Sequence, residues 1–162
     1  MNAVNQMKET AFHELEVGIR SIEGLIHKVR EEDYSYRPTE QMRTLEELMR
    51  HLIAIPEVDL CIMQEQTQEQ IQQIEQKCDS LPTRQAMIDE MYKGLEAYKT
   101  YVFQLKDEDF LTKTTTAFYL EKGTTQIQWL MEVVTHVFHH RGQLFTYLKQ
   151  KGYEVTMFDL YV

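Results

Sequence analysis

Two histidines stand four residues apart in an otherwise apolar run near the carboxyl end of the sequence, THVFHHRGQ (residues 135–143). In a helix, His136 and His140 would point their imidazoles to the same side, at a spacing that one divalent cation can bridge. Gln143 falls on the same face, where an apolar residue would be expected. Burying these polar groups costs a few kcal/mol each unless a partner satisfies them. The pair therefore predicts a metal site, with a solvated or hydrogen-bonded pair of histidines as the alternative.

A third ligand must come from another part of the chain, because two side chains rarely suffice to hold a cation. His51 is the natural candidate, since it interrupts the apolar stripe of an earlier helix (Leu48, His51, Ile55, Val58, Ile62). Taken alone, His51 could equally be a hydrogen-bonded core residue. Three neutral imidazoles would leave coordination positions open for water or substrate, as catalytic sites do. The sequence thus predicts His51, His136 and His140 as metal ligands.

Three further side chains near the histidine pair could contribute chemistry. Glu132 lies one turn before His136, where it could orient a ligand imidazole or act as a base. Arg141 could bind a carboxylate or a substrate anion, with a structural ion pair as the alternative. Gln143 is a candidate for binding a cofactor or for supplying a fourth ligand, as is Glu132. His139 points away from His136 around the helix and is expected to be peripheral.

Four amphipathic helices would position these residues. The first carries the stripe from Phe12 to Val29, at alternating spacings of three and four residues. The second and fourth begin at capping boxes, Thr44 with Glu47 and Thr125 with Gln128. The third follows Pro82.

The segments between these helices complete the predicted architecture. Residues 31–43 are predicted to form a loop, a Gln-rich stretch to about Ser80 a connection, and residues 110–123 an extended strap or short strand pair. Pro56 is expected to bend the second helix, and Gly142 to let another helix approach closely. The pattern favours an all-α fold, an antiparallel four-helix bundle with a long crossover loop before the last helix, as one domain over residues 1–162.

Composition excludes several classes of partner. The formal net charge of -9 argues against nucleic acid, which is bound by clustered lysines and arginines. No run of 18 or more apolar residues appears, and the amino terminus lacks the apolar core of a signal peptide, so no membrane partner is expected. The only two cysteines, Cys61 and Cys78, suggest reduced thiols in a cytoplasmic protein.

The motif His136-x3-His140-Arg141-Gly142-Gln143, followed by Leu148-x3-Gly152 and Phe158-Asp159-Leu160, resembles the carboxy-terminal signature of the DinB/YfiT-like superfamily. The segment EELMRHL matches the first metal position of that family at His51. The resemblance covers essentially the whole chain. It implies a bundle that binds a divalent metal, zinc or nickel among the candidates, through three histidines, and that often forms a homodimer. Characterised relatives include transferases and isomerases that use low-molecular-weight thiols such as bacillithiol or mycothiol.

The leading functional hypothesis is a metal-dependent enzyme of the low-molecular-weight-thiol S-transferase type, acting on a small-molecule substrate. A thiol or water would occupy the open coordination position. Two alternatives use the same ligands: a metal-stabilised or metal-sensing bundle without turnover, and a metal-dependent hydrolase in which Glu132 is the base. The expected homodimer follows from the resemblance, and Val4, Met7 and Ala11 extend the apolar surface of the first helix.

Overall fold

The computed structural model describes residues 2–162, most of which are helical. Its helices and strands are α1 (Ala3–Lys28), α2 (Leu45–Met63), α3 (Gln68–Asp79), α4 (Arg84–Gln104), α5 (Asp107–Thr112), β1 (Thr114–Thr115), β2 (Thr124–Thr125) and α6 (Gln126–Gln150). Two short 3₁₀ turns lie at Glu31–Asp33 and Met157–Asp159. The all-α fold expected from the periodicity is confirmed, and the four long helices α1, α2, α4 and α6 form the bundle.

Two pairs of long helices run antiparallel. In the pair α1 and α4, Lys8 bonds to Leu105 at the end of α4, whereas Tyr92 bonds to Glu23 near the end of α1. In the pair α2 and α6, the first half of α2 contacts the second half of α6, and the second half of α2 contacts the first half of α6. The bundle core is therefore closed by two antiparallel pairs packed side by side.

The pairs α1–α6 and α2–α4 run parallel. Met7 and Met131 line one groove, and further along the same two helices Gly18 faces Val137. Helices α2 and α4 can be parallel because a third helix returns the chain between them. Helix α3 therefore makes the parallel arrangement of α2 and α4 possible.

The Gln-rich stretch predicted as a connection to about Ser80 contains a further helix, because residues Gln68–Asp79 form α3. A capping box of Thr67 and Gln70 begins this helix. Only Ile71 and Cys78 are buried, so the helix has a narrow apolar stripe among glutamines and charged residues. That composition resembles a polar linker, although the capping box can be recognised in the sequence.

Helix α2 continues through Pro56, which is buried. At this position α4 comes very close, since a Cβ on Gly94 would lie 2.9 Å from the backbone nitrogen of Glu57. Gly142, by contrast, has no atom within 4 Å of such a Cβ among the residues that the structure describes. The close helix approach expected at Gly142 is therefore found at Gly94 instead.

A two-stranded antiparallel ribbon is formed by β1, which lies within the predicted strap, and β2, which directly follows it; α5 precedes β1. Thr115 Oγ1 accepts hydrogen bonds from Gln126 Nε2 at 2.9 Å and from Trp129 Nε1 at 3.0 Å. The backbone N–H of Thr116 donates to Glu65 Oε1 at 2.8 Å. These bonds attach the strap to the start of α6 and to the end of α2. No helix within residues 2–162 is both long and apolar enough to cross a membrane.

Candidate metal centre

Three histidines from the antiparallel pair α2 and α6 form one cluster. The ring centroid of His51 lies 4.4 Å from that of His140 and 5.5 Å from that of His136, and the α6 rings are 5.0 Å apart. Each ring offers one nitrogen, and these three nitrogens lie within 4.8 Å of one another. The cluster that the sequence predicted is therefore assembled, with a geometry that could hold a metal ion.

Asp59 fixes the imidazole of His136. The Nδ1–H of His136 donates to Asp59 Oδ2 at 2.9 Å, which leaves Nε2 free to face the other histidines. Burial alone would lower the pKa of His136, but the hydrogen bond and the negative charge of Asp59 outweigh it and raise that pKa. Carboxylates hold metal-ligating histidines in this way in many metal sites. Sequence reasoning missed Asp59, which lies two turns after His51 on α2.

Gln143 fixes the imidazole of His140 in the same way. The Nδ1–H of His140 donates to Gln143 Oε1 at 2.7 Å, so Nε2 remains available. Burial, together with the charges of His136 and other neighbours, lowers the pKa of His140 to about 4 even though this hydrogen bond opposes the shift. His140 is consequently neutral at physiological pH, the form in which an imidazole binds a metal.

His51 supplies the observation that best fits a cation. Its Nε2 is buried and has no hydrogen-bond partner among residues 2–162. Burial, the nearby positive charge of Arg43 and the two other histidines lower the pKa of His51 to about 3, so this ring is also neutral. A buried polar atom without a partner is costly, and a cation held by three imidazoles would satisfy it.

Cavities adjoin the cluster on both sides. We call the larger one the His51 cleft; it has a volume of about 440 Å³ and a polar wall that includes Arg37, Arg43, Arg50 and His51. The smaller one, which we call the His136 pocket, has a volume of about 130 Å³ and is lined by Val58, Asp59, Ile62, Tyr119, Trp129, Glu132 and His136. The strap places Tyr119 over this second pocket. The histidines thus separate a polar compartment from a mainly apolar one.

Glu132 lies in the wall of the His136 pocket but does not orient a histidine, because Asp59 holds His136 instead. Partial desolvation in the pocket, followed by the charge of Asp59, raises the pKa of Glu132. A carboxylate with a raised pKa is a better proton acceptor near neutral pH. The alternative role proposed for Glu132, that of a base, is therefore compatible with its position.

Arg141 lies outside the cluster. Its guanidinium donates to the backbone oxygen of Leu160 at 2.9 Å and stacks over the ring of Phe138, with 4.1 Å between the guanidinium carbon and the ring centroid. These contacts attach the carboxyl-terminal segment to α6 and give Arg141 a structural role in the fold. His139 is exposed, as anticipated for a peripheral residue, and does not belong to the group of clustered nitrogens.

Comparisons with known proteins agree with this architecture. A family model described as the DinB family matches residues 3–162. The chain is similar in structure to a protein from Exiguobacterium sibiricum 255-15 described as a candidate member of the DinB family, with 24% identity, a TM-score of 0.79, and coverage of 96% of this chain and 97% of the other. DinB-like proteins from Bacillus cereus ATCC 10987 and Bacillus subtilis each share 19% identity, with TM-scores of 0.68 and 0.64 and coverage of 91% of this chain and 95% of theirs. No curated protein matches the chain in sequence.

Proposed function

This chain belongs to the DinB family, and we propose that it is a metal-dependent enzyme of the low-molecular-weight-thiol S-transferase type. In this proposal His51, His136 and His140 hold one divalent cation, zinc or nickel. The observation that carries the proposal is the set of three converging nitrogens, one of them buried without a partner. Two of the rings are already locked in the required tautomer by Asp59 and Gln143.

The donor set favours a catalytic site over a closed structural one. Gln143 is engaged with His140 and is therefore not placed to supply a fourth ligand. Within residues 2–162, no Cys, Asp or Glu belongs to the ligand group formed by the three histidines. A site with three protein ligands keeps a position open for a small molecule, whereas structural zinc sites usually have four. A bound cation would act there as a Lewis acid, lowering the pKa of a thiol or of water.

Different residues of the chain would bind the two substrates, accept a proton and exclude water during a thiol transfer. The His51 cleft has room for the thiol, and the His136 pocket for the group that accepts the sulfur. As the sulfur–carbon bond forms, the bond from that carbon to its leaving group breaks and the leaving group departs with the electron pair. The sulfur would lie at the histidines, which border both cavities. There Glu132, in the wall of the His136 pocket, takes the thiol proton, and Trp129, Val58 and Ile62 exclude water from the accepting group.

Two other functions use the same residues. In a hydrolase, Glu132 would take a proton from water instead of from a thiol. In a metal-stabilised or metal-sensing bundle, the cation would contribute only to folding or signalling. The volume beside the histidines favours an enzyme over the second alternative.

The metal content of the purified protein tests the premise shared by all three functions, which is that the histidines bind a cation. The protein would be purified without a His-tag, and bound zinc and nickel measured in the wild type, in His136→Ala/His140→Ala and in His139→Ala. We expect about one metal per chain in the wild type and in His139→Ala, which removes an exposed imidazole from the same helix. Equal and negligible metal in all three proteins would exclude the metal centre.

Parallel assays then separate the functions. Thiol consumption with an electrophilic acceptor and hydrolysis of an ester would be measured on the same metal-loaded preparation. Glu132→Gln should retain the metal and lose most of whichever activity the wild type shows. If neither activity is present and metal removal only lowers the melting temperature, the non-catalytic alternative is favoured.

We also propose a homodimer in the cytoplasm. Cys61 and Cys78 are free thiols, as expected in a reducing compartment. Met7 on α1 and Met131 on α6 are half exposed and line a shared apolar groove, which a second copy would cover. Light scattering at micromolar concentration is the test, and a mass near 19.4 kDa would exclude the dimer.

A further inference from the structure

Three arginines line the His51 cleft, and two of them are occupied by contacts within the protein. Arg50 donates to Glu46 Oε1 and to the backbone oxygens of Cys78 and Leu81, so it joins α2 to α3. Arg37 donates to the backbone oxygen of Glu40 and lies 3.9 Å from Glu47 Oε2. Both guanidinium groups therefore make contacts that stabilise the folded chain.

Arg43 is different. Its guanidinium is exposed and forms no hydrogen bond, ion pair or aromatic contact with any residue in the range 2–162. The backbone at Arg43 is nevertheless held, because the next residue, Thr44, donates its N–H to Glu47 Oε2 at 2.7 Å in the capping box of α2. A guanidinium group that is permanently charged and has no partner, on a backbone that is held in place, is well suited to bind an anion.

The location of Arg43 connects it to the metal centre. It lines the His51 cleft and also a neighbouring cavity of about 410 Å³ that contains Gln143, the partner of His140. Its positive charge is one of the causes that lower the pKa of His51 and of His140, and it opposes the rise that Asp59 produces in the pKa of His136. A molecule whose reactive atom reaches the histidines would therefore pass within reach of this guanidinium.

Acidic residues limit the charge of such a molecule. Glu40, Glu47, Glu75 and Asp79 line the cleft together with the arginines. Glu47 is already committed to Thr44 and Arg37, which leaves Arg43 as the unoccupied positive group in the cleft wall. The acids would repel a second negative group at a distance from Arg43, so the arrangement suits a molecule with one anionic group.

We propose that Arg43 is a specificity-determining residue that binds the carboxylate of a small thiol substrate in the His51 cleft. This inference rests on the proposed function, because it assumes that the thiol sulfur lies at the three histidines. Arg43 positions the substrate and favours thiols that carry a negative charge. It does not take part in bond making or breaking.

The test compares two thiols of nearly the same size, 3-mercaptopropionate and 3-mercapto-1-propanol, titrated calorimetrically into zinc-loaded protein. Wild type should bind the carboxylate about tenfold more tightly, as expected for a charge-assisted hydrogen bond. Arg43→Gln should lose this preference while its zinc content and its affinity for the uncharged thiol stay unchanged. Arg37→Gln, which removes a neighbouring charge from the same cleft, is the matched control and should keep the preference.

A second readout does not depend on metal. In the metal-free protein, titration with 3-mercaptopropionate should shift the NMR signal of the Arg43 Nε–H group, whereas 3-mercapto-1-propanol should not. If the wild type takes up no zinc but this signal shifts, the proposed enzymatic function fails and the anion site stands. The inference about Arg43 is overturned if the wild type shows no preference, if Arg43→Gln retains it, or if the Nε–H signal is insensitive to the carboxylate.

Discussion

Asp59 Oδ2 lies 2.9 Å from His136 Nδ1, although 77 residues separate the two in sequence. The bond joins the later part of α2 to the middle of α6, and it sets both the ring plane and the tautomer of His136. It also links the fold to the proposed chemistry, because any shift between α2 and α6 would change the direction of the free Nε2. The Asp59 side chain is only 14% exposed, so the bond is largely protected from competition with water.

Replacing Asp59 by Asn should weaken metal binding by about 10–100-fold, the range found when a carboxylate partner of a metal-ligating histidine is removed. The amide is similar in shape but carries no charge, so His136 becomes a poorer ligand with a less defined orientation. Competitive titration against a chromogenic chelator would measure the change. Glu132→Gln is the control, because it neutralises a carboxylate in the same pocket that does not bond to His136; a matching loss there would indicate a general charge effect.

The histidine cluster was predictable because its members follow helical periodicity. His136 and His140 are one turn apart, and His51 replaces an apolar residue in a stripe that had to face the core. The partners of these histidines were harder to anticipate. The sequence makes Gln143 a candidate for cofactor binding or for a fourth ligand, but not the partner of His140. Asp59 has no local signature, since its role depends on which part of α2 meets His136.

The sequence leaves two roles open for Arg141 for a physical reason. An arginine beside a histidine pair is equally suited to bind an anion or to hold a backbone carbonyl, and sequence does not show where the carboxyl-terminal segment lies. In the structure Leu160 supplies that carbonyl. Arg43 was missed because it lies in a loop without periodicity, where side-chain direction cannot be read from spacing. Helix α3 was missed because its polar composition concealed a narrow buried stripe.

Replacing Gln143 by Leu should weaken metal binding by roughly tenfold, because the Nδ1–H of His140 loses its acceptor and the ring its fixed tautomer. Gln143→Glu preserves an acceptor oxygen and should bind metal at least as tightly as the wild type. Isothermal titration with zinc would compare the three proteins. An unchanged affinity in Gln143→Leu would mean that packing alone orients His140.

The metal-free protein should lose stability as the pH falls below about 6.5. The folded-state pKa values of His51 and His140 are about 3 and about 4, below the unfolded value, so the unfolded chain binds more protons in this interval. Each histidine contributes a loss on the order of 1–2 kcal/mol between pH 7.5 and pH 5. The raised pKa of His136 acts in the opposite sense, since its stabilisation is present in acid and is lost as the pH rises, but it opposes two histidines.

Urea unfolding of chelator-treated protein at several pH values would measure this dependence. His140→Gln should reduce the slope of stability against pH, because one buried neutral imidazole has been removed. His139→Gln, which alters the adjacent exposed ring, should change the slope much less, because the charge of His139 is only a minor cause of the lowered pKa of His140. A wild-type stability that rises towards pH 5 would contradict the lowered pKa values of the cluster.

Removing metal should lower the melting temperature strongly at pH 7.5 and much less at pH 5. A cation binds only neutral imidazoles, so its contribution to the free energy of unfolding decreases as the histidines become protonated in competition with it. Differential scanning fluorimetry with and without a chelator would show the effect. Identical melting curves at pH 7.5 would argue against a metal in the bundle core.

Gly94→Ala should destabilise the bundle by about 1–3 kcal/mol, the usual cost of adding atoms to a tightly packed core. The new Cβ would lie 2.9 Å from the backbone nitrogen of Glu57, and backbone atoms can give way only if α2 moves. Since α2 carries both His51 and Asp59, the variant should also bind metal more weakly. Gly142→Ala is the matched control, because open space surrounds that position and alanine favours the helix by up to about 1 kcal/mol. Urea denaturation and metal titration of both variants would decide whether the approach of α4 to α2 sets the geometry of the centre; equal stabilities would show that it does not.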